Sequence, residues 1–324
     1  MDNNSSQPLV SICCITYNHE PYIAQAIQSF LMQKTNFPIE ILISDDASTD
    51  KTSNIIRDYE SCYPNLIKPL YQTKNQYSQG KKPNPEFNFP RARGKYIALC
   101  EGDDYWTDSF KLQKQVNFLE QNQDFAICFH NMQIIDKDNP HLNRISNINQ
   151  QEITTIENLA HRNYIYTASC MFRNYKHELP HWYYQCPVGD YPLHLINAQR
   201  GKIKFIDETM GAFRVHQGGV WRGKTLRQQL ETAIELFEII RDKFSKDINH
   251  ILNNQLLDSY LQIVEHYIQN KEIEKSKFYL MKIIENDPVY LLELIKSLRT
   301  KKRASINEIT APLRWLARKI MPNH

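Results

Sequence analysis

Residues 9–46 read LVSICCITYNHEPYIAQAIQSFLMQKTNFPIEILISDD, and their pattern decides the fold. LVSICCIT, residues 9–16, is a nearly continuous apolar run, as expected of a strand covered on both faces of a parallel sheet. After it, Pro21 suits a first helical turn, and Ile23, Ile27, Phe30 and Leu31 recur on one helical face. IEILIS, residues 39–44, reads as a second strand, and Ile55, Ile56 and Tyr59 mark a second helix. This β-α-β-α opening belongs to an open α/β sheet, in which ligands bind beyond the carboxyl ends of the strands.

Outward from that core, strands are expected at residues 66–71 and 96–100. Residues 73–90, rich in Asn, Gln, Lys and Pro, separate them as a long surface loop. Asp108 can cap a helix carrying Leu112, Val116 and Leu119. Further strands are expected near residues 125–130, 165–172, 203–206 and 210–216, around a short helix beginning at Asp190 or Tyr191. After Trp221 the pattern is helical throughout, over residues 226–244, 251–269, 272–285 and 288–299. A boundary is therefore expected at 222, with a helical region at 223–300 and a basic tail at 301–324.

Composition excludes several classes. Of 324 residues, 41% are hydrophobic and 23% charged, with 15 Pro and 9 Gly, so the chain is neither disordered nor collagen-like. Mean hydropathy is −0.56, and no apolar stretch approaches the roughly 20 residues of a membrane span. The opening MDNNSSQPLV lacks the basic start and apolar run of a secretory signal, so a cytoplasmic location is expected. The 7 cysteines offer no CxxC pair and read as buried reduced thiols. Charge is uneven: Lys296 to His324 carries +7 and the rest −4. Without basic clustering in the body, a nucleic-acid partner is not expected. In the tail, Ile306, Ile309, Leu313, Leu316 and Ile320 recur at spacings of three and four among Arg303, Arg314, Arg318 and Lys319. That is a basic amphipathic pattern, suited either to an anionic membrane surface or to packing on the preceding helices, and Pro312 interrupts it.

Acidic residues cluster where two strands end. Glu101-Gly102-Asp103-Asp104 puts three carboxylates in four residues, a set that either holds Mg2+ or Mn2+ or forms a solvated turn. In Asp45-Asp46-Ala47-Ser48-Thr49-Asp50, the last three residues suit a helix cap, whereas Asp45 at a strand end can accept a hydrogen bond from a ligand N–H.

Taken in order, VSICCITYNHEPYIAQAIQSFLMQ, IEILISDDASTDKT, GKYIALCEGDDYW, VGDYPL and FRVHQGGVW resemble the successive motifs of the family 2 inverting glycosyltransferases of bacterial surface-polysaccharide synthesis. The resemblance covers about the first 220 residues. It implies a GT-A fold, with a Rossmann-like nucleotide-binding half joined to an acceptor-binding half in one mixed central sheet, followed here by the helical region. It further implies a UDP-sugar donor and a glycan or lipid-linked glycan acceptor. By motif, Thr16 and Tyr17 match positions that embrace the base, and Asp45 matches the acid that accepts the uracil N3–H. Glu101-Gly102-Asp103 matches the DxD motif with Glu in first place, which implies Asp103 as ligand of Mn2+ or Mg2+ and Glu101 and Gly102 as nucleotide contacts. Asp190 matches the catalytic base, a role the chemistry requires because an acceptor hydroxyl is a weak nucleophile. His216 matches a histidine that reaches the metal or diphosphate. Arg214, with Val215 between it and His216, is a further diphosphate candidate, and Asp104 either orients the sugar or caps the next segment.

His181, Trp182, Tyr183 and Tyr184 offer aromatic surface for a sugar beside Asp190, although aromatics also fill cores. His130, Asn131, Thr167 and Ser169 lie in the acceptor half, where core hydrogen bonding competes with acceptor contact. Two other functions fit parts of the sequence: a polyprenyl-phosphate sugar synthase, whose acceptor is already ionised and needs no base, and a non-catalytic scaffold built on the C-terminal helices.

Overall fold

In the computed structural model the described residues are 7–176, 179–216, 218–219 and 223–290. The chain divides into two compact units, Met1–Gly219 and Val220–His324.

The first unit is built on a ten-stranded sheet. Its amino-terminal part is β1 (Val10–Thr16), α1 (Ile23–Leu31), β2 (Ile39–Asp45), α2 (Thr52–Cys62), β3 (Ile67–Tyr71) and β4 (Tyr96–Leu99). β2 and β4 flank β1, and β3 lies outside β2, all parallel. The apolar run of β1 has the predicted cause: Val10, Ile12 and Cys14 are fully buried, and α1 lays Ile23, Ile27 and Phe30 against the sheet. Each such side chain contributes roughly 1.5–3 kcal/mol by leaving water.

The sheet continues through β5 (Tyr105–Trp106), α3 (Lys111–Gln121), β6 (Phe125–Asp136), β7 (Arg144–Ile145), β8 (Ile153–Thr154), α4 (Ile156–His161), β9 (Met171–Arg173), α5 (His181–Gln185), α6 (Asp190–Ala198) and β10 (Lys202–Val215). β9 runs antiparallel between β4 and β6 and makes the sheet mixed. β10 runs parallel to β6 and carries β5 antiparallel on its other edge.

Three expectations are corrected, and a short strand was not anticipated. The strands expected at 203–206 and 210–216 are one strand, β10, which ends at Val215 and whose register against β6 shifts between Ile206 and Gly211. That bulge breaks the alternation on which two strands were read. Within 165–172, Thr167–Ser169 is a 3-10 turn, and only Met171–Arg173 is strand. β5 is two residues long, too short for periodicity to reveal. Finally, residues 73–90 are not a free surface loop. They contain the turns Tyr77–Gln79 and Asn84–Asn88, and Asn88 is fully buried with its Nδ2 donating to Cys14 O at 3.0 Å. Arg91 next to them donates to Lys68 O at 2.7 Å and Ile43 O at 3.1 Å.

The second unit holds α7 (Leu226–Ile240), α8 (Lys246–Gln269) and α9 (Ile273–Asn286), packed through Leu230, Leu256, Tyr260, Ile263 and Ile283. Thr225 caps α7 through its bond from Gln228 N. Among the described residues no helix is long and apolar enough to cross a membrane. The tail at 301–324 and most of the 288–299 pattern lie outside the described residues.

Candidate active site

Thr16 and Asp45 end β1 and β2 as register partners. Asp45 is 2% exposed. Burial pushes its carboxyl pKa up, against the hydrogen bond that Ser48 Oγ donates to Oδ1 at 2.5 Å. The same Ser48 oxygen accepts from Asn18 N at 2.9 Å, and Asn18 Oδ1 accepts from Thr49 N at 2.8 Å. Asn18 and Ala47 take left-handed backbone (φ +54° and +61°), which turns the two loops toward each other. Thr16 Oγ1 is buried without a protein partner, whereas Tyr17 is 42% exposed at the rim. Asp46 faces away from Asp45's partner and accepts from Gln76 N and Tyr77 N, anchoring the following loop. Of the three expected cap residues only Asp50 caps α2, through Thr52 N at 2.9 Å. Sequence reading missed Asn18 and the bridging role of Ser48, because both depend on contacts 30 residues apart.

Beyond β4, Gly102 bonds Ile15 O at 2.9 Å and packs so closely that a Cβ would lie 2.7 Å from Thr16 Oγ1. Only glycine allows this approach. The turn then sends its three acids in different directions. Glu101 points toward the acceptor half, bonded by the Thr167 hydroxyl; burial first, then the charges of Asp103 and Asp190, raise its pKa to about 8. Asp103 is the acid that faces the site's two imidazoles. Its Oδ2 lies 3.2 Å from His216 Nε2 and 3.6 Å from His19 Nε2. Burial alone would raise its pKa, but the bond to His216 and the charge of His19 outweigh that and hold it below the ordinary carboxylate range. Burial lowers the pKa of His19, which Asp103 partly offsets. His19 was not singled out from sequence, since a lone histidine after a strand carries no signal of its own.

Asp104 is 2% exposed and accepts from Arg214 N at 2.8 Å. Burial, Asp103 and Glu101 push its carboxyl far above the usual range. Arg214 is 8% exposed; its guanidinium donates to Asp103 O and Gln25 Oε1 and lies over Tyr105, 4.3 Å from the ring centroid. Asp104 and Arg214 thus stand behind Asp103 and fix its backbone, with the guanidinium engaged by protein groups.

On the acceptor side, Asp190 opens α6 behind Gly189, half-buried, with Asn163 Nδ2 at 3.4 Å from its Oδ2. One turn on, buried His194 has its pKa lowered to about 4 by burial, against the opposing charge of Asp190. Tyr183 is 1% exposed and donates from its hydroxyl to Gly189 O at 3.0 Å, so it braces this turn from the core. Trp182 and Tyr184 on α5 are half-buried and His181 is exposed. His130, Asn131 and Ser169 are buried in core hydrogen bonds: His130 Nδ1 to Asn131 O at 2.8 Å, Asn131 Nδ2 to Asp207 at 2.7 Å, and Ser169 Oγ to Tyr166 O at 2.7 Å.

Asp103 with His19 and His216 offers a carboxylate and two imidazoles, beside two further acids whose pKa values are raised first by burial and then by the neighbouring acids' charges. That donor set suits a divalent cation. Among the described residues no three such side chains are already gathered as a finished cage; Asp103 and the imidazoles rest in hydrogen-bonding geometry.

Residues 11–179, just over half the chain, match the family model described as Glycosyl transferase family 2. An uncharacterised protein of Mycobacterium tuberculosis is 38% identical over 251 residues, 72% of this chain and 70% of that one. The UDP-Glc:alpha-D-GlcNAc-diphosphoundecaprenol beta-1,3-glucosyltransferase WfaP of Escherichia coli is 37% identical over 119 residues, 36% of this chain and 43% of WfaP. Among solved structures, S. aureus TarS residues 1–349 in complex with UDP-GlcNAc superposes with a TM-score of 0.62 at 18% identity, covering 86% of this chain and 81% of that one. The mixed sheet, the acids at its carboxyl edge and these likenesses agree: the chain belongs to glycosyltransferase family 2 and has a GT-A type fold.

Proposed function

We propose that this glycosyltransferase moves a sugar from a UDP-sugar to a hydroxyl of a glycan or lipid-linked glycan in surface-polysaccharide synthesis (O-antigen, capsule or lipooligosaccharide), with inversion at the anomeric carbon. The observation that carries the reading is the grouping at one sheet edge: Asp45 beside Thr16, Asp103 with two imidazoles, and Asp190 close enough to Glu101 for their charges to interact. The UDP-GlcNAc complex of TarS and the UDP-glucose donor of WfaP support the nucleotide, and WfaP's β-linked product on a lipid diphosphate supports inversion and a lipid-linked acceptor.

In this reading Asp45 accepts the uracil N3–H between Thr16 and Tyr17. Gly102 leaves room for the nucleotide, and Glu101, turned toward Thr167, contacts it from the acceptor side. Asp103 and His216 would hold Mn2+ or Mg2+, which supplies positive charge to the diphosphate when bound. Asp190 takes the proton of the acceptor hydroxyl as its oxygen bonds to the anomeric carbon; the bond to the β-phosphate oxygen breaks and its electron pair leaves with UDP. Trp182 lies on the acceptor side, next to the Tyr183 that braces Gly189. The catalytic unit extends to about residue 222, followed by the helical region at 223–300. The basic tail at 301–324 makes a peripheral contact with the inner face of the cell membrane in this proposal. A screen of nucleotide sugars for cation-dependent UDP release tests the donor, and NMR of the purified product tests the anomer. A β-linked product is expected; a retained α configuration overturns the single displacement.

A further inference from the structure

Asn163 lies on the segment following α4, beside Asp190. Tyr191 Oη, buried one residue into α6, donates to Leu159 O at 3.0 Å and is 3.1 Å from Ala160 O, which locks the end of α4 to the start of α6. Asn163 Oδ1 accepts from Ile165 N at 3.2 Å. That bond settles the amide's orientation and leaves Nδ2 directed at Asp190 Oδ2, 3.4 Å away. The contact is long for a hydrogen bond, as is common at catalytic groups before substrate binds.

We propose that Asn163 is a positioning residue for Asp190. This rests on the reading of Asp190 as base. By donating to Oδ2, the amide fixes the carboxylate plane and leaves Oδ1 free to receive the acceptor proton.

The test uses UDP-glucose or UDP-GlcNAc with Mn2+ and water as acceptor, taking whichever donor the full chain hydrolyses faster. Water needs the same base, so Asp190→Asn serves as the control. Asn163→Leu is close in size and removes the amide donor without adding charge; Asn163→Ala removes the donor with most of the side chain. Both variants are expected to lower kcat about tenfold and to leave the donor KM within about twofold. A matching melting temperature for Asn163→Leu separates this from unfolding. If Asp190→Asn is slow but Asn163→Leu keeps the wild-type kcat, the positioning role is wrong and the base assignment stands. If Asp190→Asn hydrolyses the donor at the wild-type rate, the base assignment falls and takes this inference with it.

Discussion

His216 Nε2 stands 3.2 Å from Asp103 Oδ2, joining the end of β10 to the turn after β4 across 113 residues of sequence. The imidazole orients the acid that the proposal gives to the cation. His216→Ala is therefore expected to lower the Mn2+-dependent part of UDP affinity roughly 10–100-fold while leaving cation-free UDP binding unchanged. Calorimetric titration of UDP with and without Mn2+ separates the two. His19→Ala, at the longer contact of 3.6 Å, is expected to have the smaller effect.

Ser48 supports Asp45 and the Asn18 loop with one hydroxyl. Ser48→Ala leaves a buried carboxylate oxygen and a backbone N–H short of a partner, at a cost of about 1–3 kcal/mol in stability. UDP affinity should fall roughly tenfold, about 1.4 kcal/mol, because the uracil acceptor loses its fixed orientation. Urea unfolding and UDP titration of the same preparation check both numbers.

Lys111 is fully buried on α3, its Nζ without a hydrogen-bond partner and 3.8 Å from the centroid of the Trp106 ring. Burial lowers its pKa from 10.5 to about 7. Between those two values the unfolded chain binds more protons at this site than the folded one, so the lysine's cost is greatest at pH 7 and below and fades as pH rises toward 10.5. Lys111→Met is expected to stabilise the protein by about 1–3 kcal/mol at pH 7. Its advantage over wild type should shrink at pH 9, measured as urea midpoints at both pH values. An advantage that grows with pH would contradict the assignment.

Sequence alone reveals the parallel half of the fold because burial on both faces leaves continuous apolar runs, as in residues 9–16 and 39–44. It also places Asp45, Asp103 and Asp190 at element ends, since those positions depend on local pattern. What stays hidden is long-range. Asn88 is polar and sits in a stretch that reads as exposed loop, yet Cys14 O, 74 residues away, draws its amide into the core. The bonds that tie the Arg214 guanidinium to the Asp103 carbonyl and Gln25 have no local sequence signal, and His19 gains meaning only beside Asp103. β10 looks like two strands because its bulge beside Asp207 interrupts the two-residue period.

The most direct test of the catalytic reading is Asp190→Asn measured for both UDP binding and turnover. Removing the base acts on the transition state, so UDP affinity in the presence of Mn2+ should stay within about twofold of wild type while UDP-sugar turnover falls by roughly 10²–10⁴. Wild-type turnover in that variant would contradict the assignment of Asp190.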